Sequence, residues 1–282
     1  MARVELLRAN VDLLRRYMGI VEPRAPLLQI TDARPDEVYS QALNLEIRAN
    51  RLAFEQVRVV RRESMFVRRQ TRSADVFTLV DSALASVLLV KQDMNIKTAI
   101  GEKIQAELTT PTQVFNAIVV AGSEINNLLR DITSPSDVFQ LVTAATHVAA
   151  TLHATLPGSA YLPEEPDFEP GKMPVDVFLR IRRCYGMVSV LANTKNLRML
   201  KLEPMDNGHL TVTPNDVSDM ASLLVEELTR IHTKFPGARQ AARAYYPGKR
   251  FPAHVFQRVG LLEAILQALV DAQANDMLRT GG

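Results

Sequence analysis

Apolar residues along this chain fall into seven sets, each opened by the same short signal and each spaced as one side of a helix. The signal is clearest at Ser134-Pro135-Ser136-Asp137-Val138-Phe139. Variants of it open at Pro35-Asp36-Glu37-Val38, Ser73-Ala74-Asp75-Val76, Pro111-Thr112-Gln113-Val114, Pro174-Val175-Asp176-Val177, Pro214-Asn215-Asp216-Val217 and Pro252-Ala253-His254-Val255. Apolar or small residues then stand four, seven, eleven and fourteen places after the shared valine, as in Val142, Ala145, Ala149 and Leu152. That spacing predicts a helix with one buried face. The seventh place is often small (Ala83, Ala121, Ala145, Cys184), which would let a neighbouring helix come close.

The signal is also chemically a helix start. Proline suits the first helical position, where its missing N–H is not needed, and a carboxylate in the first turn answers the exposed N–H groups and the positive dipole end. Thr110, Ser134 and Thr213 stand where an N-cap belongs. Ser136, two places inside, is expected to matter little.

The shared valines fall at 38, 76, 114, 138, 177, 217 and 255, so the steps between them are 38, 38, 24, 39, 40 and 38. A period of this size marks stacked helical units. It lies near the period of HEAT and TPR arrays, although the Trp-Gly-Tyr pattern of the latter is missing from a chain with no tryptophan. The predicted fold is all-α, with repeated helical units of about 38 residues stacked as hairpins in a bundle or short solenoid. The short step predicts an antiparallel hairpin from Pro111 to Leu156.

Between the starts, Val4, Leu7, Val11, Leu14 and Met18 predict a first helix that lacks the proline signal. Residues from Asp36 to Gln70 contain no Pro or Gly and allow one long helix, or a shorter one whose second half is a separate helix packed back. Shorter helices are read at Thr98 to Leu108 and Ala238 to Tyr245, and a small β-hairpin around Asn207-Gly208. The Pro-rich stretch 157–173 is the expected boundary between N-terminal repeats (1–156) and C-terminal repeats (174–282), with Tyr161, Leu162 and Phe168 expected to anchor it.

Composition narrows the function. The 282 residues carry a net charge of +2 and are 47% hydrophobic, enough for a substantial core and without the charge excess of bulk nucleic-acid binding. No unbroken apolar run reaches membrane-spanning length, so a soluble protein is expected, in the cytoplasm or a bacterial-type periplasm. A lone cysteine, Cys184, in the small-residue column reads as a packed core thiol. Phosphate loops, paired-histidine or paired-cysteine metal spacings and the Gly-x-Ser-x-Gly turn are absent, and no Glu stands three residues before any histidine. No catalytic, cofactor or metal residue is assigned.

Two basic features remain. Arg58, Arg61, Arg62, Arg68, Arg69 and Arg72 crowd one segment and are candidates for binding a partner protein with an acidic surface, since guanidinium forks suit carboxylates. Lys249, Arg250 and His254 stand at a helix start where most copies carry an acid, and are candidates for an anion site. The expected function is a non-enzymatic scaffold or adaptor for another protein, with a small-molecule or anion sensor, its ligand between helices, as the alternative.

Overall fold

A computed structural model of the chain describes residues 1–21, 26–59, 72–102, 109–129, 134–156, 161–205, 211–235, 237, 239–245 and 247–280, without the side chains of 275–280. Among these residues are eight helices: α1 (Ala2–Tyr17), α2 (Pro35–Val57), α3 (Ser73–Asp93), α4 (Pro111–Asn126), α5 (Pro135–His153), α6 (Pro174–Thr194), α7 (Pro214–His232) and α8 (Pro252–Thr280). Two-residue strands β1 (Ile30–Thr31) and β2 (Lys201–Leu202) pair antiparallel, Ile30 opposite Leu202. The protein is all-helical, as its periodicity predicts.

All seven of these starts are helix starts, and each closes the same cap. The backbone N–H before the helix donates to the side chain three places on: Arg34 to Glu37 (2.7 Å), Arg72 to Asp75 (2.9 Å), Thr110 to Gln113 (2.8 Å), Ser134 to Asp137 (2.9 Å), Met173 to Asp176 (2.8 Å), Thr213 to Asp216 (2.8 Å) and Phe251 to Nδ1 of His254 (3.2 Å). At Thr110, Ser134 and Thr213 the hydroxyl in turn accepts the third residue's N–H at 3.3 Å. Downstream, all twenty-eight residues at the four core places of the seven copies are at most 2% exposed.

The helices form two compact units. The first holds Met1–Ile132 with Leu200–Pro204, the second Thr133–Met199 with Met205–Gly282. In the first unit α1 and α2 each pack on both α3 and α4; in the second, α5 and α6 each pack on both α7 and α8. The two units therefore share one topology, displaced by four helices. The boundary precedes α5, and the stretch 157–173 lies inside the second unit.

Within each unit the helices run parallel. In the second unit, Arg180 near the start of α6 pairs with Glu263 and with the Phe256 carbonyl near the start of α8, while Thr194 at the end of α6 hydrogen-bonds Gln273. Lys195, just past α6, lies over Phe235, just past α7. Arg250, just before α8, donates its N–H to Ser136 in the first turn of α5. In the first unit, Ser86 of α3 meets Asn50 of α2 at similar depth. A Cβ on Gly122 of α4 would sit 2.7 Å from Arg48 of α2, so glycine is what lets that arginine cross.

Parallel helices need returns as long as themselves. The segment 18–34 runs back along α4, held by Asn127 to the Val21 carbonyl, Asn116 to Ile30 and Thr112 to the Ala33 N–H. Its counterpart 154–173 runs back along α8, with Glu165 at Arg258, Pro166 at Gln257 and Phe168 against His254. The segment 233–251 runs back along α5, where Ala242 meets His147 and Ala244 meets Gln140.

Several expectations are corrected. Helices α4 and α5, expected as one hairpin, belong to different units, and the short valine step is the passage from one unit to the next. Helix α2 ends at Val57, where Arg58 turns left-handed (φ 60°) and β-branched Val57 and Val59 flank the break. The described residues 98–102 and 239–245 are not helical, and 103–108 lie outside the described residues. Strand β2 pairs with β1 instead of folding on itself; Asn207-Gly208 lie outside the described residues. In the 157–173 stretch Phe168 is anchored, while Tyr161 is 88% exposed and so does not hold the segment down. Read as helices with isolated charges, α3 and Pro252–Ala274 of α8 are long and apolar enough to cross a membrane by length and composition. In both, the core places already face the helices of their own unit.

The serine expectation also changes. Ser136 is 3% exposed and its hydroxyl accepts the Arg250 N–H at 2.9 Å. Ser134→Ala is expected to cost about 1 kcal/mol through the lost cap, and Ser136→Ala about 1–3 kcal/mol by leaving a backbone donor unpaired. Urea melts of both variants check this; a silent Ser136→Ala would contradict the contact.

Candidate binding site at the mouth of the first unit

The shared valine sits one place after the capping residue, so in a parallel unit the valines gather at one end. In the first unit Val4, Val38, Val76 and Val114, one from each helix, line a cavity of about 440 Å³. Pro35 and Pro111, Ser73 and Ala74, and Phe77 and Val80 complete most of its wall. Arg3 stands at this wall, bonded to Asp81 (2.7 Å) and Glu102 (3.1 Å), with its guanidinium 5.5 Å from the Phe77 ring centre. Phe77 itself is 52% exposed.

The second unit differs at the equivalent place. Val138, Val177, Val217 and Val255 are all buried, at 1–3% exposure, whereas Val76 and Val114 of the first unit remain partly accessible. Sequence reasoning found these valines but read them only as core. Their convergence depends on helix direction, which periodicity does not report.

The two basic candidates are placed unequally. Arg58 follows the end of α2, over Phe54 at 5.6 Å, and Arg72 precedes α3, its N–H on Asp75. The starts of α2 and α3 share the cavity, so Arg58 lies some 23 residues of helix away, about 35 Å at 1.5 Å per residue. The two ends of the expected arginine stripe are therefore at opposite ends of the unit. Arg61, Arg62, Arg68 and Arg69 lie outside the described residues.

Lys249, Arg250 and His254 do come together at the start of α8, each with a structural partner. Lys249 lies 5.6 Å over Phe251, and Arg250 lies 5.0 Å over Phe139, a ring it shares with Arg258 at 5.2 Å. His254 does the acid's capping work and packs its ring 5.0 Å from Phe168. The departure from the acidic pattern is thus met by a ring nitrogen that accepts the Phe251 N–H.

Other reactive groups serve the core. Cys184 is fully buried, and burial pushes its thiol up to about 12, with Glu263 adding to the shift. Among the described residues no three His, Cys, Asp or Glu side chains are grouped to hold a metal. Comparison with protein-family models, with curated proteins and with solved structures finds no match.

Two outcomes follow from these placements. His254→Asp restores the acid at a positive helix end and is expected to stabilise by about 0.5–1 kcal/mol at pH 7; a lower denaturation midpoint would show that the ring's packing on Phe168 outweighs the cap. Cys184 should not react with a disulfide reagent at pH 8 in the native protein, yet give one equivalent in denaturant. Rapid native labelling would mean that α6 opens.

Proposed function

We propose that this chain is a non-enzymatic binding protein that holds a small molecule between helices, at the mouth of its first unit. The observation that carries this reading is the open mouth: about 440 Å³ lined by valines that the second unit buries completely. Ligand cavities commonly fall between about 300 and 1,000 Å³ and are mostly apolar. Such a protein would act as a sensor or carrier, the ligand shifting it toward the bound form by differential affinity.

A second reading, a scaffold or adaptor for another protein, has its own support. Phe77 and Leu88 are 52% and 42% exposed and stand eleven residues apart on α3, three turns along one face. Partly exposed Ala85 and Leu89 continue that face. A partner of this kind would lay an apolar surface along α3, with Arg72 just ahead of the helix adding charge attraction.

The readings separate by experiment. A ligand present at one hundred times its Kd adds about 2.7 kcal/mol and raises the melting temperature by several degrees. A thermal-shift screen over metabolites is expected to give hits that leave a Phe77→Asp, Leu88→Asp double variant responsive. Loss of a stoichiometric protein partner in that variant, with no small-molecule hit on the wild type, would overturn the ligand reading in favour of the scaffold.

A further inference from the structure

We infer, on the reading that the first unit's mouth is a ligand site, that its ligand is uncharged. Four helix starts meet there, and a cluster of positive dipole ends would ordinarily select an anion. This mouth has already cancelled that field. Arg3, Arg34 and Arg72 stand against Asp36, Glu37, Asp75, Asp81 and Glu102, a side-chain count of 3 − 5 = −2. Four helix ends at about +0.5 each bring the total close to zero.

One backbone donor at each of three of these starts is also occupied. The N–H groups ahead of α2, α3 and α4 are bonded to Glu37, Asp75 and Gln113. Pro35 and Pro111 contribute no N–H at all. Arg3, the cation on the wall, holds two carboxylates, so its charge is already matched and offers an anionic ligand little. A cationic ligand fares no better, because those carboxylates are engaged and most of the remaining wall is valine, proline, alanine and phenylalanine, beside Met1, Ser73 and Thr109. Transfer of a charge into such a wall is costly, while an apolar body gains by its burial. Ser73 offers one hydroxyl at the edge for a single neutral hydrogen-bonding group.

The test uses three probes with one chain length: 1-octanol, octanoate and octylammonium, at pH 7, read by thermal shift and by chemical-shift changes of ¹³C-labelled valine methyls. Octanol is expected to bind at least tenfold more tightly than either charged probe and to move the Val76 and Val114 methyls. Ala74→Trp, an exposed wall position, should weaken octanol at least tenfold, whereas Val190→Trp in the second unit should not. If octanoate or octylammonium binds as tightly as octanol and Ala74→Trp still blocks it, the inference is overturned and the mouth remains a ligand site. If no probe moves the valine methyls, or Ala74→Trp changes nothing, the inference falls together with the reading on which it rests. The methyl signals of the wild type decide the matter even if the tryptophan variant does not fold.

Discussion

Everything in this structure hangs on the bond, ahead of seven of the eight helices, between the backbone N–H and the side chain three residues inside the helix. That bond fixes where a helix begins, and the shared valine one place later fixes which side faces inward. Because the helices of a unit run parallel, their positive ends crowd together, an arrangement that is unfavourable unless each end carries its own counter-charge. Five of the seven starts use a carboxylate for this, one uses Gln113 and one uses His254. The opposite ends carry cations in several last turns, including Arg15 and Arg16 of α1, Lys91 of α3 and Arg230 of α7, as the negative dipole end favours.

Direction also explains the period. A helix of 19 residues is about 28 Å long, and a chain that must start the next helix at the same end has to travel that distance back. The segments 18–34, 58–72, 94–110, 154–173, 195–213 and 233–251 connect these helices, each 15 to 20 residues from their bounds. Helix plus return gives the step of about 38. The step of 24 between Val114 and Val138 has only residues 127–134 in place of a return, and it falls where one unit ends and the next begins.

Much of this was legible in the sequence, and the rest was not for a definite reason. Helix starts, caps and buried faces are local properties, written in Pro135, Asp137 and the run Val142, Ala145, Ala149, Leu152. Helix direction is not local. A spacing of 24 is compatible with a hairpin or with a passage between units, and only the contacts of Arg250 with Ser136 and of Arg180 with Glu263 decide that neighbours run parallel. Ser136 illustrates the same limit, since nothing in its own turn announces the Arg250 N–H that makes it a buried acceptor. The cavity escaped for the same reason: four valines 34 to 38 residues apart become one wall only when four starts share one end.

The two units also differ in what the returns carry. In the first unit the returns 18–34 and 94–110 contain no aromatic residue. In the second, 154–173 and 233–251 contain Tyr161 and Phe168, and Phe235, Tyr245, Tyr246 and Phe251. Phe168 and Phe251 both reach the His254 ring at the start of α8, and Lys172 and Arg180 cover Phe256 from the side. Aromatic side chains form favourable ring and cation contacts, and Phe168 and Phe251 bring such contacts to the start of α8. The residues that arrive at the first unit's mouth, Asp32-Ala33-Arg34 and Thr109-Thr110, carry no aromatic ring, and Val76 and Val114 are partly exposed there. One topology used twice thus has its four valines buried in the second unit and two of the four partly exposed in the first.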